Sequence, residues 1–326
     1  ELVSWVQRIT LNVILRGYLG FGSNIYEEVS DVPRVINDIW TKSKEFNNNQ
    51  QSIQELKCSL KNYLHSASLK KQEGKEDDTG NAPNVLREIL KIAQKHLDNI
   101  QSLPQIESCF IKPTAEELGS SLNILLPAYE TMWRVLLYAI LETKVRGLLK
   151  KKNNKKPEET TEDNFLEDID KDAKFLLDNP SYSLRKKNLI HYIVKETLRL
   201  YPATRHIHRV KDGIKYSINV EAIHRDPLIW GNDASRFKPE RFENHIAKKD
   251  GTYIPFSIGP MQCIAADNFA PRLAAILIAA VISSVDFFDV VDNDAISKYG
   301  IDPDLPFENN RHAFENVFVN IATRSK

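Results

Sequence analysis

The chain is poor in cysteine, with only Cys58, Cys109 and Cys263 among 326 residues. An odd, widely spaced set excludes the disulfide framework of a small secreted domain and fits a reducing compartment, where a thiol stays free for chemistry. Net charge is also missing: Lys plus Arg and Asp plus Glu each total 44. No global field draws the protein to nucleic acid, and a charged partner must be met by a local patch. A third absence is any apolar run of about 18 residues, or any basic-then-apolar leader, so the chain as given is expected to be soluble. It opens at Glu1 rather than Met, already inside an amphipathic pattern of Leu2, Trp5, Val6, Ile9 and Val13. A further N-terminal segment, with any anchor, is therefore expected upstream. What is present is ordinary for a globular protein, at 42% hydrophobic and 9% aromatic, which is enough for a sizeable core in a single domain over 1–326.

Most of the chain reads as helix. Apolar residues at spacings of three and four predict helices over 1–19, 24–47, 50–66, 83–103, 114–150 and 186–201. Two charge-dense stretches without large apolar residues, 67–82 and 150–163, are expected to be solvated, flexible loops. From Gly213 to His224 the pattern changes to alternation, with Ile214, Tyr216, Ile218, Val220 and Ala222 on one face, which predicts a strand and one small sheet. A last helix is expected from about Asn268 to Val281, with Pro271 in its first turn where a missing N–H costs little, and a strand at Val317 to Ile321. The fold class is mainly α with a small β-sheet.

Three segments carry chemistry only when taken together. Glu196 and Arg199 lie three apart on a predicted helix, where alone they would be an ordinary solvated ion pair. Past the strand, Phe237-Lys-Pro-Glu-Arg-Phe242 places Arg241 on a proline-punctuated loop, from which it closes a triad with the first two. Then Pro255-Phe-Ser-Ile-Gly-Pro-Met-Gln-Cys-Ile-Ala265 puts Gly259, which permits a tight turn under a flat ligand, four residues before Cys263. A helix soon after favours an anion there. Cys58 and Cys109, lacking such neighbours, read as buried structural thiols.

In order and spacing these segments resemble the C-terminal two thirds of the cytochrome P-450 superfamily, the haem-thiolate monooxygenases. Glu196 and Arg199 match the pair on the family's K helix, Pro239 to Phe242 its following loop, and Phe256, Gly259 and Cys263 its haem loop, with His224-Arg-Asp-Pro227 between. Upstream, Ala128, Glu130 and Thr131 match the small residue, acid and threonine of its oxygen groove, and Trp5 to Gly22 resembles a helix found in fungal members. The resemblance implies a P-450-like fold lacking the N-terminal helices and part of the sheet. It implies haem b, its iron held by the Cys263 thiolate, with Phe256 and Gly259 in the haem loop and Arg209 as a propionate partner. Glu130 and Thr131 would deliver protons for O–O cleavage. Electrons would come from NADPH through a P-450 reductase docking on the cysteine side, where Arg236, Lys238, Arg241, Lys248 and Lys249 offer either a basic patch or a solvated face. The substrate would be a small hydrophobic or aromatic molecule, with no nucleic acid involved. A full-length form would sit on the cytosolic face of the endoplasmic reticulum membrane through its N-terminus; the chain as given would be cytosolic.

The sequence departs from the family at Met261, where Arg or His is usual two residues before the cysteine, and at Ala265, where glycine is usual. Pro127 stands inside the helix that bears Thr131, and Val210 to Tyr216 is shorter than the family's two-strand excursion. Two further readings stay open: a truncated, catalytically inactive relative that is a haem-binding remnant or gene fragment, and a helical interaction protein with no cofactor.

Overall fold

The computed structural model describes residues 1–19, 32–44, 58, 89, 92–93, 118–146, 161–179, 188–243, 251–267, 269–291, 294–302 and 304–323. The fold is mainly helical with small antiparallel sheets, as the periodicity predicts. It divides into two compact units, one of Glu1–Val3 with Arg134–Lys326 and one of Ser4–Trp133. Among the described residues no helix is long and apolar enough to cross a membrane.

In the Ser4–Trp133 unit, helix α1 (Leu2–Leu19) buries nearly every apolar side chain from Val6 to Leu15. Thr10 is buried with them because its hydroxyl donates to the Val6 carbonyl one turn back, 2.9 Å away, leaving no unpaired polar group. Helix α2 (Val32–Lys44) buries Val32, Val35 and Ile36 on one face. Helix α3 (Leu118–Ile140) runs on from this unit into the other and ends in a π-helical turn, Leu141–Val145. The helices expected over 50–66 and 83–103 and the loop over 67–82 lie almost wholly outside the described residues.

The larger unit is built on three helices: α4 (Thr161–Asp178), α5 (Leu189–Leu200) and α8 (Phe269–Ser284), which pack on one another. Helix α8 is apolar all round, and every residue from Leu273 to Ile282 is buried, so it is the core element. Each Leu or Ile so placed is worth roughly 1.5–3 kcal/mol over an exposed one. Helix α4 begins at Thr161, so the end of the stretch expected as loop over 150–163 is helical. Helix α5 starts where the Asn188 side chain accepts from the Ile190 N–H at 3.0 Å and Asp172 of α4 accepts from Leu189 N–H at 2.6 Å. It stops at Tyr201, the residue before Pro202.

Strands β1 (His206–Lys211) and β2 (Ile214–Asn219) form an antiparallel hairpin in which Lys211 pairs with Ile214. The two turn residues, Asp212 and Gly213, have φ of 53° and 75°, the backbone of a tight type I′ turn. The short segment between Val210 and Tyr216 is thus a tight turn between two strands of six residues each. The alternation read through Ala222 breaks at Asn219, whose side chain accepts from Ala222 N–H at 2.9 Å and starts a short helix, α6 (Val220–His224). Asp226 does the same for Leu228 N–H, with Pro227 at the first position of α7 (Pro227–Trp230). A second hairpin-like sheet pairs β3 (Val285–Val290) with β4 (Val319–Thr323), and α9 (Asp294–Ile301) lies between them in sequence. Among the described residues there are therefore two small sheets rather than one. Strand β3 and helix α9 were not predicted: β3 follows α8 with no turn residue between Ser284 and Val285, and α9 is only eight residues long.

Candidate functional site

The last two turns of α5 hold the most densely bonded carboxylate of the larger unit. Glu196 and Arg199 are both fully buried. Arg199 Nε donates to Glu196 Oε2 at 2.7 Å and its Nη2 to Oε1 at 2.8 Å, a bidentate pair. Oε1 accepts twice more, from Arg241 Nε at 2.9 Å and from the Lys238 backbone N–H at 2.8 Å. The free edge of the Arg199 guanidinium donates to the carbonyls of His224 (2.5 Å), Ala234 (2.6 Å) and Arg236 (3.2 Å), and its face lies 5.0 Å from the Trp230 ring. Arg241 continues outward to the Asp233 carboxylate (3.3 Å) and the Asp233 carbonyl (3.0 Å). The cluster sets the carboxylates of Glu196 and Asp233 against two guanidiniums and the Lys238 ammonium, which meets Asp233 at 2.9 Å. Burial pushes the Asp233 carboxyl up, but Lys238 and Arg241 outweigh it and hold the group below the usual range. Glu196, Arg199 and Arg241 therefore meet, and between them they clamp the loop from His224 to Phe242 onto α5.

That clamp also sets the positions offered as a basic patch. Arg241 is buried, Lys238 pairs with Asp233 at 2.9 Å, and Arg236 pairs with Asp304 at 2.7 and 2.9 Å. Each of these three cations already faces a carboxylate, so they make no field of unpaired charge; Lys248 and Lys249 lie outside the described residues.

Beside the clamp, His224 is fully buried with Tyr253 stacked on it at 5.6 Å and Trp230 edge-on at 6.3 Å. Its Nδ1 faces the Arg199 carbonyl at 3.0 Å and its Nε2 accepts from the Ile254 N–H at 2.9 Å. Burial, with the nearby charges of Arg199 and Arg225, pulls its pKa down to about 4.

Ile254 opens the cysteine loop. Ser257 N–H donates to Ile254 O at 3.2 Å, Ser257 itself takes a φ of 66°, and Cys263 N–H donates back to Phe256 O at 2.9 Å, closing the loop. Gly259 sits inside it at φ 70°, and a Cβ there would meet nothing within 4 Å, so the space over this turn is open. Cys263 is exposed, and so are Ile258, Met261 and Ile264 of the same segment. Arg209 of β1 reaches the loop, donating from Nη2 to Ser257 Oγ at 2.7 Å. Phe256 is half-buried. Helix α8 starts only at Phe269, so a turn separates the cysteine from the helix N-terminus that was expected to support it. Cys58 is exposed, against its reading as a buried thiol, and Cys109 lies outside the described residues.

Glu130 and Thr131 lie on α3 within the Ser4–Trp133 unit. Glu130 is buried; Thr131 is exposed, and its hydroxyl donates to the Pro127 carbonyl at 2.9 Å. Pro127 sits inside the helix and lacks the N–H that would bond one turn back.

A second buried cluster escaped sequence reasoning. Arg146 and Glu142 pair bidentately at 2.6 and 3.1 Å at the π-helical end of α3, and the Tyr201 hydroxyl donates to the same carboxylate. Arg146 then donates to the carbonyls of Tyr299 (2.7 Å) and Leu305 (3.1 Å) and lies over the Phe307 ring. Burial works against its charge, yet Glu142 outweighs it and holds the group above its usual pKa. Only the pair itself had a signal, Glu142 and Arg146 standing four apart on the predicted helix; its other partners had none.

A mainly helical unit in which a buried Glu–Arg–Arg clamp holds the segment from His224 to Phe242, ahead of a glycine-turned loop carrying one exposed thiol, is the class of site the fold defines. Comparison with known proteins shows what this segment is similar to. Residues 167–283 match the family model described as Cytochrome P450. The chain is 33% identical over 120 residues to Cytochrome P450 714A2 of Arabidopsis thaliana, covering 32% of this chain and 23% of that protein. It is 35% identical over 125 residues to 11-oxo-beta-amyrin 30-oxidase of Glycyrrhiza uralensis, covering 33% and 24%. It is also 35% identical over 120 residues to Putative cytochrome P450 CYP13A6 of Caenorhabditis elegans, covering 32% and 23%. The alignments thus span about a quarter of these relatives. Over this segment, which holds the clamp, His224 and the cysteine loop, the chain is similar to cytochrome P450 proteins; Glu130 and Thr131 lie outside the match.

Proposed function

We propose that the chain is a haem-thiolate monooxygenase that takes electrons from NADPH through a reductase and acts on a small hydrophobic or aromatic substrate. The observation that carries this reading is the loop from Ile254 to Cys263: its backbone is closed by the Cys263 N–H to Phe256 O bond at 2.9 Å while its thiol stays exposed among apolar side chains. A single soft sulfur donor, open space over Gly259 and the exposed apolar side chains Ile258, Met261 and Ile264 in the same loop would suit a flat apolar ring whose iron the Cys263 thiolate would hold. When bound, haem supplies the activation of dioxygen that lets one oxygen atom enter the substrate while the other leaves as water.

The residues of this chain supply the setting. Cys263 would ligate the iron, and Phe256 and Gly259 would shape the loop against it. Arg209, tied to Ser257 Oγ, would meet a propionate, a role resting on its match to the family pattern. Glu196, Arg199 and Arg241 hold the segment from His224 to Phe242 on α5 and would not touch substrate. Thr131 and Glu130 would carry protons, a role resting on their match to the family pattern. A full-length form is expected at the endoplasmic reticulum membrane.

The test is a carbon monoxide difference spectrum of the dithionite-reduced protein. A Soret band at the thiolate-ligated position, lost in Cys263→Ala, is expected; no haem uptake by the intact chain would sink the reading. A second reading, an inactive relative that binds haem without turnover, is favoured by exposed Met261 at a position where the family carries a cation. It predicts the thiolate band without substrate-dependent NADPH consumption, and Met261→Arg tightening haem binding.

A further inference from the structure

We infer that His224, held as its Nδ1–H tautomer, is the positioning residue of the cysteine loop, fixing the base of that loop to the end of helix α5. The inference rests on the haem-thiolate reading of Cys263 for its functional meaning, and on local geometry for everything else.

The tautomer follows from the partners. The Arg199 carbonyl at 3.0 Å can only accept, so Nδ1 must carry the proton. The Ile254 N–H at 2.9 Å can only donate, so Nε2 must present its lone pair. Neutral imidazole in this one form satisfies both; imidazolium would set an N–H against an N–H and break the second bond. The main chain of His224 is fixed from the same side, since Arg199 Nη1 donates to the His224 carbonyl at 2.5 Å. Arg199 and His224 therefore clasp each other reciprocally, and Arg199 is itself held by the buried Glu196 carboxylate. The imidazole is the piece that carries this rigidity across to Ile254.

From Ile254 the bonds lead to the thiol's own residue. The Ile254 carbonyl accepts from Ser257 N–H at 3.2 Å, and the Phe256 carbonyl accepts from Cys263 N–H at 2.9 Å. The charged groups around the ring all disfavour its protonation or are already committed. Arg199 lies on α5, and Arg225, next in sequence, pairs with Glu221 of α6 at 2.8 Å. Glu196 is shared between Arg199 and Arg241. Tyr253 and Trp230 cover the ring. With the ring fully buried, no water replaces either bond.

The competing explanation is that Ile254 is placed by its own side chain, which packs with Ile207 and Val220. Two measurements on the full chain separate these. In the first, nitrogen-15 NMR of histidine-labelled protein, with the His224 signals identified by their loss in His224→Gln, is expected to show a protonated Nδ1 and a bare Nε2. A protonated Nε2 overturns the inference. The second is amide exchange, by mass spectrometry, of the peptide that contains Ile254. His224→Leu keeps the apolar bulk and removes both bonds, so protection of the Ile254 amide should fall about tenfold or more. His224→Gln, whose Oε1 reaches the Nε2 position, should keep it. Unchanged protection in the Leu variant, or loss in the Gln variant, overturns the inference; if the Leu variant does not fold, the tautomer and the Gln result decide. Neither readout needs haem. Absence of a thiolate-type carbon monoxide spectrum in the wild type would overturn the monooxygenase reading and leave these two results standing, whereas unchanged exchange in His224→Leu would overturn the positioning role whatever the spectrum.

Discussion

The larger unit holds two buried glutamate–arginine pairs that solve the same electrostatic problem with different partners. At the end of α5, Glu196 accepts from two arginines and a backbone N–H, and the guanidiniums spend their remaining donors on carbonyls of the loop that follows. At the end of α3, Glu142 accepts from one arginine and a tyrosine, and Arg146 spends its donors on carbonyls of the 299–305 segment. In both, a charge removed from water is offset by a bidentate partner, and the surplus donors fasten main-chain carbonyls of a segment remote in sequence. The difference is what is fastened. The first clamp holds the segment leading to the cysteine loop; the second holds the approach to β4.

The largest effect should come from breaking the first clamp. Glu196→Gln keeps the shape of the side chain and removes its charge, leaving Arg199 buried without a carboxylate and Arg241 with Asp233 alone. Unfolding free energy in urea should drop by about 3–5 kcal/mol, a large share of what a domain of this size has. Arg146→Met at the second clamp should cost somewhat less, about 3 kcal/mol, because it leaves one carboxylate short of a partner rather than two guanidiniums, and Glu142 keeps the Tyr201 hydroxyl. If the two costs reverse, the clamp at α5 is not the principal fastening.

The third effect is a pH dependence confined to the first clamp. His224 has its pKa pushed down to about 4 in the folded chain, by burial first and then by Arg199 and Arg225. Unfolded, it returns to about 6.5. Between those values the unfolded chain binds a proton that the folded chain refuses, so stability is full above about pH 6.5 and falls as pH drops toward about 4. The loss is at most about 3 kcal/mol. Urea midpoints at pH 7, 5.5 and 4.5 should show this slope in the wild type, and His224→Gln should lack that part of it. An identical slope in the two proteins would remove His224 from the account.

The same contrast explains what could be read from the sequence. The α5 clamp was legible because its members sit in short, patterned segments: Glu196 and Arg199 three apart, Arg241 between proline and phenylalanine, Gly259 four before Cys263. The Glu142 cluster was not, because Arg146 meets Tyr201, Tyr299 and Leu305 only through the tertiary fold, and nothing local announces those partners. Of the elements, α5 and α8 were visible from their apolar period, whereas β1 was missed although Asp212-Gly213 is a strong turn signal between two β-rich runs. The alternation that continued to Ala222 misled, since the capping side chain of Asn219 outweighed it. His224 stood in view within His-Arg-Asp-Pro, but its two bonds join residues 199 and 254, a separation no pattern reports.

The smallest effect sharpens the comparison most, because it separates main chain from side chain at one residue. Arg236 makes a two-point contact with Asp304 at 2.7 and 2.9 Å, closer than several contacts of the buried clamps, but both side chains are about half exposed. Water solvates those charges whether or not they meet, salt screens them, and holding two long side chains together costs rotamer freedom. The Arg236 carbonyl, by contrast, accepts from Arg199 at 3.2 Å and from Arg241 at 3.3 Å, and any residue except one that distorts the backbone can offer that carbonyl. Arg236→Ala should therefore leave the urea midpoint unmoved, at low salt and at 0.5 M salt alike, while Arg236→Pro, which restricts φ and removes the N–H bonded to Asp233 O, should lower it clearly. A midpoint that falls with Arg236→Ala at low salt and recovers at high salt would show that the exposed pair fastens the loop as the buried ones do, and burial would then cease to be what distinguishes them.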